Sequence, residues 1–170
     1  MKRTPILILS LLTIIVMSSP VVAQGWRELV PLKSTCEDVK RILNVPSCKP
    51  YDEYYEVGGE RLQIGLTERP CQKAFGRIWS VQVGTVTYVA RTPKEPIPLA
   101  EVISDVSRCD KGLTDTGPAY TCNEEGLWLL VRDDKVVHIT YVPKLSDNYL
   151  QCSSTNEKPK IPKKRRGKNP

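Results

Sequence analysis

Leu127-Trp128-Leu129-Leu130-Val131, Arg132-Asp133-Asp134-Lys135 and Val136-Val137-His138-Ile139-Thr140-Tyr141-Val142 follow one another without a break. β-Branched, aromatic and aliphatic residues fill both outer runs, and a polar stretch with two adjacent aspartates divides them. That is the signature of an antiparallel hairpin. Upstream, Glu53 to Val57 and Arg61 to Leu66 flank Gly58-Gly59, a pair suited to the primed turns that match strand twist. Trp79 to Val83 and Thr85 to Arg91 form a third expected pair, with Gly84 marking a bulge or bend. The chain is therefore expected to build an antiparallel sheet.

Two segments carry a helical period instead. Ser34-x-x-Glu37 reads as a capping box, Cys36, Val39, Ile42 and Leu43 share one face, and Asn44-Val45-Pro46 ends the run. Leu99, Val102, Ile103 and Val106 share a face in the same way, with Lys111-Gly112 beyond the end. Helices this short need a sheet to lean on. Residues 30–41 also align with residues 97–108 at an offset of 67, with five identities in twelve, and residues 86–93 align with 136–143 at an offset of 50. The expected fold class is thus α+β: two related units, about 30–93 and 97–143, each a short helix packed on antiparallel strands, within one disulfide-stapled domain.

Lys2 and Arg3, the apolar run from Ile6 to Met17 and the small residues from Ser18 to Ala23 have the three parts of an export signal. Cleavage after Ala23 would leave Gln24 first and no transmembrane span, since the apolar run is shorter than the roughly 20 residues needed to cross a bilayer. Expected organisation is a signal over 1–23, a domain over 24–152 and a tail over 153–170, with a periplasmic or secreted destination. The tail holds seven Lys or Arg against Glu157 alone, while residues 24–152 carry 16 basic and 18 acidic groups. High overall basicity is thus a property of the tail, whose composition predicts disorder. Its run Lys163, Lys164, Arg165 and Arg166 is a candidate contact for an anionic envelope surface. Specific nucleic-acid binding is not expected, because no aromatic residue lies in the tail to stack on a base.

Six cysteines, Cys36, Cys48, Cys71, Cys109, Cys122 and Cys152, follow the signal, which fits an oxidising compartment. Fifteen pairings exist, and sequence alone does not choose among them. The duplication motivates one arrangement: Cys36–Cys48 and Cys109–Cys122 as local staples, with Cys71–Cys152 tying the first unit to the chain end. The nearest spacing, twelve residues, is unlike the closely spaced pairs of zinc sites, and no metal or cofactor is expected. His138 is the only histidine and sits on an expected strand. The acidic pairs Asp133-Asp134, Glu124-Glu125 and Asp52-Glu53 fall at turns, loops or strand starts. No catalytic residue is assigned.

Trp26, Val30-Pro31-Leu32-x-Ser34-Thr35-x-Glu37-Asp38-Val39, Pro70-Cys71, Ile78-Trp79, Gly84-Thr85-Val86, Asn123-Glu124-Glu125-Gly126 and Asp147-Asn148-x-Leu150-x-Cys152 together resemble an uncharacterised family of small exported proteins from soil bacteria. The resemblance covers most of residues 26–152 and implies organisation without an activity. More distantly, Ser34-Thr35-x-Glu37-Asp38-Val39-x-x-Ile42-Leu43-x-x-Pro46 is similar to the opening helix of the helix-plus-antiparallel-sheet module in beta-lactamase inhibitor protein and the SmpA/OmlA outer-membrane assembly lipoproteins. That similarity implies protein binding across a sheet face. The expected function is a non-catalytic exported protein that binds a protein or anionic envelope partner, with Trp79, Tyr88 and Trp128 as interface candidates. An exported hydrolase using carboxylates or His138 is the alternative.

Overall fold

The computed structural model describes residues 25–49 and 53–152. The expected signal (1–23), Asp52 and the basic tail (153–170), with Lys163, Lys164, Arg165 and Arg166, lie outside the described residues.

The opening hairpin forms as expected: β9 (Leu127–Arg132) pairs antiparallel with β10 (Lys135–Tyr141), matching Val136 to Val131 and Thr140 to Trp128. Asp133 and Asp134 both take positive φ, 50° and 57°, the two left-handed residues that a primed turn requires and that aspartate tolerates. Gly58 and Gly59 do the same between β1 (Tyr55–Val57) and β2 (Glu60–Leu66), at 62° and 84°. Neither hairpin stands alone. β5 (Val86–Thr92) joins them, pairing with β2 on one side and β10 on the other, and β7 (Asp110–Thr114) and β8 (Gly117–Cys122) extend the far edge. The sheet runs β1-β2-β5-β10-β9-β8-β7, every neighbour antiparallel, and β6 (Ile97–Pro98) pairs with the start of β10.

Two expectations about strands give way. Thr85 to Arg91 does not pair with Trp79 to Val83: β3 (Gln72–Ala74) and β4 (Arg77–Trp79) form their own hairpin around Phe75 and Gly76, whose φ values are 50° and 75°. One residue, Gly84, is too short to close a hairpin, so Trp79 turns back onto the preceding residues. Lys111-Gly112, expected just beyond a helix end, instead lies within β7 of the β7–β8 hairpin.

Helix α1 (Cys36–Leu43) forms over the expected residues, buries Val39 and ends at Asn44, which adopts φ 54°. Its capping pair is one residue later than expected. The Thr35 N–H donates to Asp38 Oδ2 at 2.9 Å, while Ser34 Oγ accepts from the Val30 N–H at 2.9 Å and so shapes the loop before the helix. These bonds from Thr35 hold the Asp38 carboxyl below its ordinary pKa. The second helix is cut to α2 (Leu99–Val102): Ile103 is extended at φ −141°, and a 3₁₀ turn follows over Val106–Arg108. Asp105 starts that turn by accepting from the Ser107 N–H at 3.0 Å, a local bond that competes with helix continuation. Leu99, Val102, Ile103 and Val106 nevertheless all pack on the same core.

Both cores lie on one side of the sheet. Trp26, Leu29 and Val39 cover Leu62, Ile64 and Val89 in the first half; Ile103 and its neighbours cover Leu129, Val131 and Ile139 in the second. Tyr141 borders both, and burial raises its phenol above the ordinary pKa. Three disulfides staple the domain: Cys36–Cys48, Cys71–Cys152 and Cys109–Cys122. They fit a protein that matures in an oxidising compartment. Among the described residues no helix is long and apolar enough to cross a membrane.

Candidate sheet-face docking site

Strands put successive side chains on opposite faces, so burying Leu62, Val89, Ile139 and Leu129 leaves their neighbours on the other side. Register places Thr92, His138, Leu130 and Ala119 in one row across β5, β10, β9 and β8. The adjacent row holds Gln63, Ala90, Thr140, Trp128 and Thr121. Small residues at Ala90, Thr140 and Ala119 keep the middle of this face low. His138 is held between two threonines, Nδ1 at 3.2 Å from Thr92 Oγ1 and Nε2 at 3.2 Å from Thr140 Oγ1. Its ring meets Trp128 edge-on, with centroids 5.9 Å apart. Burial holds the imidazole below its ordinary pKa, so neutral His138 is favoured near neutral pH.

The β3–β4 hairpin stands over one end of this face. Phe75, at its tip, meets Tyr88 edge-on at 5.4 Å, and Tyr88 lies across Gly65, where an added Cβ would come within 2.1 Å of the ring. Glycine at 65 is therefore what lets the tyrosine lie flat on the strand. Trp79 is wholly buried, its Nε1 donating to Ala74 O at 3.2 Å; its expected role as a surface anchor is corrected here, because the ring is the hairpin's own core. Between hairpin and sheet is a cleft of about 240 Å³, walled by Phe75, Arg77, Trp79, Trp128, Val142 and Pro143. Thr121 and Asn123 line it from the side. That volume is below the roughly 300 Å³ where small-molecule pockets begin, and fits an inserted side chain better than a free ligand.

Tyr88, Trp128 and Trp79 are thus gathered at one end of the open face, two half-buried and one beneath. Phe75 was missed by sequence reasoning, although it is the only phenylalanine and precedes a glycine; it remains 51% exposed. All six cysteines are in disulfides. Ligand atoms of Cys109, Cys122 and Glu125 lie within 4.8 Å of one another, but both sulfurs are spent on the bond between them. Glu125 instead pairs with Arg108 at 3.2 Å. Asp133 and Asp134 occupy their turn, Glu53 sits 4.0 Å from Lys49, and among the described residues no carboxylate hydrogen-bonds His138.

No family model, curated protein or solved structure matches this chain.

Proposed function

We propose that this chain is an exported, non-catalytic binding protein that docks on a protein partner through the open face of its sheet. One observation carries the reading. The two cores cover one face of the sheet, whereas the other keeps Leu130, His138, Trp128 and Tyr88 half-buried, with only the β3–β4 hairpin over one end among the described residues. Aromatic side chains beside a low surface of small and polar residues offer the anchors that dominate interface energetics. The signal-like residues 1–23 support export to the periplasm or beyond, and the resemblance to sheet-face binders points the same way.

The two-unit reading gains support from register. Ala90 pairs with Thr140, Val89 with Tyr141 and Arg91 with Ile139, so the 50-residue offset maps this pairing onto itself, as a two-fold axis through the sheet centre requires. Under it β2 corresponds to β9, β1 to β8, and Tyr88 to His138. The disulfides do not share the relation, because offset 67 sets Cys36 against Ile103.

Leu130→Asp places a charge at the centre of the face without entering either core. Retention of a partner from envelope extract should be lost with this variant and kept with Glu101→Lys, an exposed change on α2. Equal retention by both would refute docking through this face.

A further inference from the structure

The sheet ends at β7 with an edge that no strand covers among the described residues. β7 pairs with β8 in unbroken register, Thr114 opposite Gly117 across the turn residues Asp115 and Thr116. The pair that closes a two-residue turn exchanges backbone hydrogen bonds, and bonded and unbonded pairs then alternate along an antiparallel ladder. Thr114, Gly112 and Asp110 therefore bond to β8, whereas the N–H and C=O groups of Leu113 and Lys111 point away from the sheet. Pro118, which has no N–H to give, stands opposite Leu113 and fits that phase. Leu113 is 85% exposed, so an apolar side chain sits beside the outward backbone groups.

Sheet edges are commonly blunted by proline, by a bulge or by a charge held over the edge. β7 has neither proline nor bulge, and the ammonium of Lys111 leans back onto β8, 5.7 Å from the centroid of the Tyr120 ring. At Gly112 an added Cβ would meet nothing within 4 Å, so packing within the fold does not call for glycine there. A glycine inside a strand often marks the approach of another backbone. At the other end of the sheet β1 turns only Glu56 outward, because Tyr55 and Val57 bond to β2.

We propose that β7 pairs antiparallel with β7 of a second copy of this chain, about a two-fold axis at Gly112. Lys111 of each copy then faces Leu113 of the other and exchanges backbone hydrogen bonds with it. Asp110 faces Thr114, and Gly112 faces Gly112 in the close, unbonded position, where no side chain stands in the way. This centre pairs all five residues of β7. A centre at Lys111 or at Asp110 sets like charges opposite each other, which destabilises a ladder. A centre at Leu113 runs into the turn, and a half-residue shift sets outward groups against inward ones. The edge is thus complementary to itself, and Leu113 closes over the alkyl stem of Lys111, whose ammonium already leans on Tyr120. Because the axis is perpendicular to the sheet, the faces carrying Trp128 and His138 stay on one side and become continuous across the two copies. A strand pair this short buries less than the roughly 1,600 Å² of a standard interface, so the dimer is weak, with a Kd on the order of 100 µM.

Sedimentation equilibrium of the full oxidised chain over roughly 10 µM to 1 mM should show monomer passing to dimer. Leu113→Lys sets an ammonium opposite Lys111 of the second copy, and Leu113→Glu sets a carboxylate there. The lysine variant should pair about tenfold more weakly than the glutamate variant. Leu113 is exposed, so neither change enters the core, and near-UV circular dichroism checks that both variants fold. Gly112→Cys should join two copies through a disulfide under mild oxidation, with the three native bridges verified by peptide mapping. Leu113→Cys, about 9 Å from its counterpart, should not, because cysteines bridge only within about 7 Å. A chain that stays monomeric at the highest concentration overturns the proposal. So does equal weakening by Leu113→Lys and Leu113→Glu, the mark of an unspecific apolar contact, or cross-linking at Leu113→Cys as readily as at Gly112→Cys. Retention of an envelope protein by a chain that stays monomeric, lost in Leu113→Lys, would give the edge to a foreign strand and also overturn self-pairing. None of these outcomes depends on Leu130→Asp, so the sheet-face reading stands or falls separately.

Discussion

Leu129 and Leu130 are neighbours on β9 that point to opposite faces of the sheet. Leu129 is wholly buried among the residues brought down by α2 and the turn over Val106–Arg108, whereas Leu130 lies in the row with His138 and Ala119 and keeps partial exposure. The same contrast recurs on β10 between Ile139 and His138, and on β5 between Val89 and Tyr88. One face is buried under the residues of both cores, aromatic as well as aliphatic; the other keeps Trp128, Tyr88 and His138 half-buried outside those cores. Where packing does not dictate a residue, recognition can.

The contrast makes its largest prediction at the hairpin, which among the described residues is what covers the open face. Cys71→Ser with Cys152→Ser opens a closure 81 residues apart in sequence and should cost about 4 kcal/mol by loop-entropy reasoning. Denaturant unfolding measures it, and a cost below that of opening Cys36–Cys48, a separation of 12, would show that the hairpin adds little to the fold. Next, Ile139→Ala should cost about 3 kcal/mol. Leu130→Ala should cost under about 1 kcal/mol, because a half-exposed side chain has less transfer energy to lose. Comparable losses at the two positions would erase the distinction between faces.

The smallest effect belongs to pH. Burial lowers the pKa of His138 in the folded chain, so on acidification the unfolded chain takes up this proton first. Stability contributed by the neutral ring is complete above the unfolded pKa, about 6.5, and is lost as pH falls from there toward the lower folded value. Melting temperatures recorded between pH 7.5 and pH 5, in roughly half-unit steps, should fall more for the natural chain than for His138→Gln. Parallel curves would mean that the ring is as solvated folded as unfolded.

Much of the contrast could be read from the residues. Strand-forming residues in β9 and β10 around a two-aspartate turn gave their hairpin, the apolar stripe of α1 gave the covering helix, and the pairing motivated by the duplication matches the three disulfides observed. The β7–β8 hairpin escaped because Gly112, Pro118 and exposed Leu113 break any alternating pattern; its order comes from pairing to β9 and the Cys109–Cys122 link. The site was legible in residue type and less so in place. Trp128 and Tyr88 are on the open face, but the burial of Trp79 depends on a turn at Phe75-Gly76 that strand propensity does not signal. Arg77 and Phe75 acquire meaning only once the hairpin is seen to lean over the sheet.

The Cys71–Cys152 link has a further consequence under proteolysis. It closes the backbone from the hairpin to the last described residue into a covalent ring, and the exposed Asp133-Asp134 turn lies within that ring. A single proteolytic nick there would leave two pieces still joined through the Cys71–Cys152 bond. Such a molecule would separate into fragments only after reduction, so damage that severs most chains would here leave the β3–β4 hairpin and β10 in one covalent molecule.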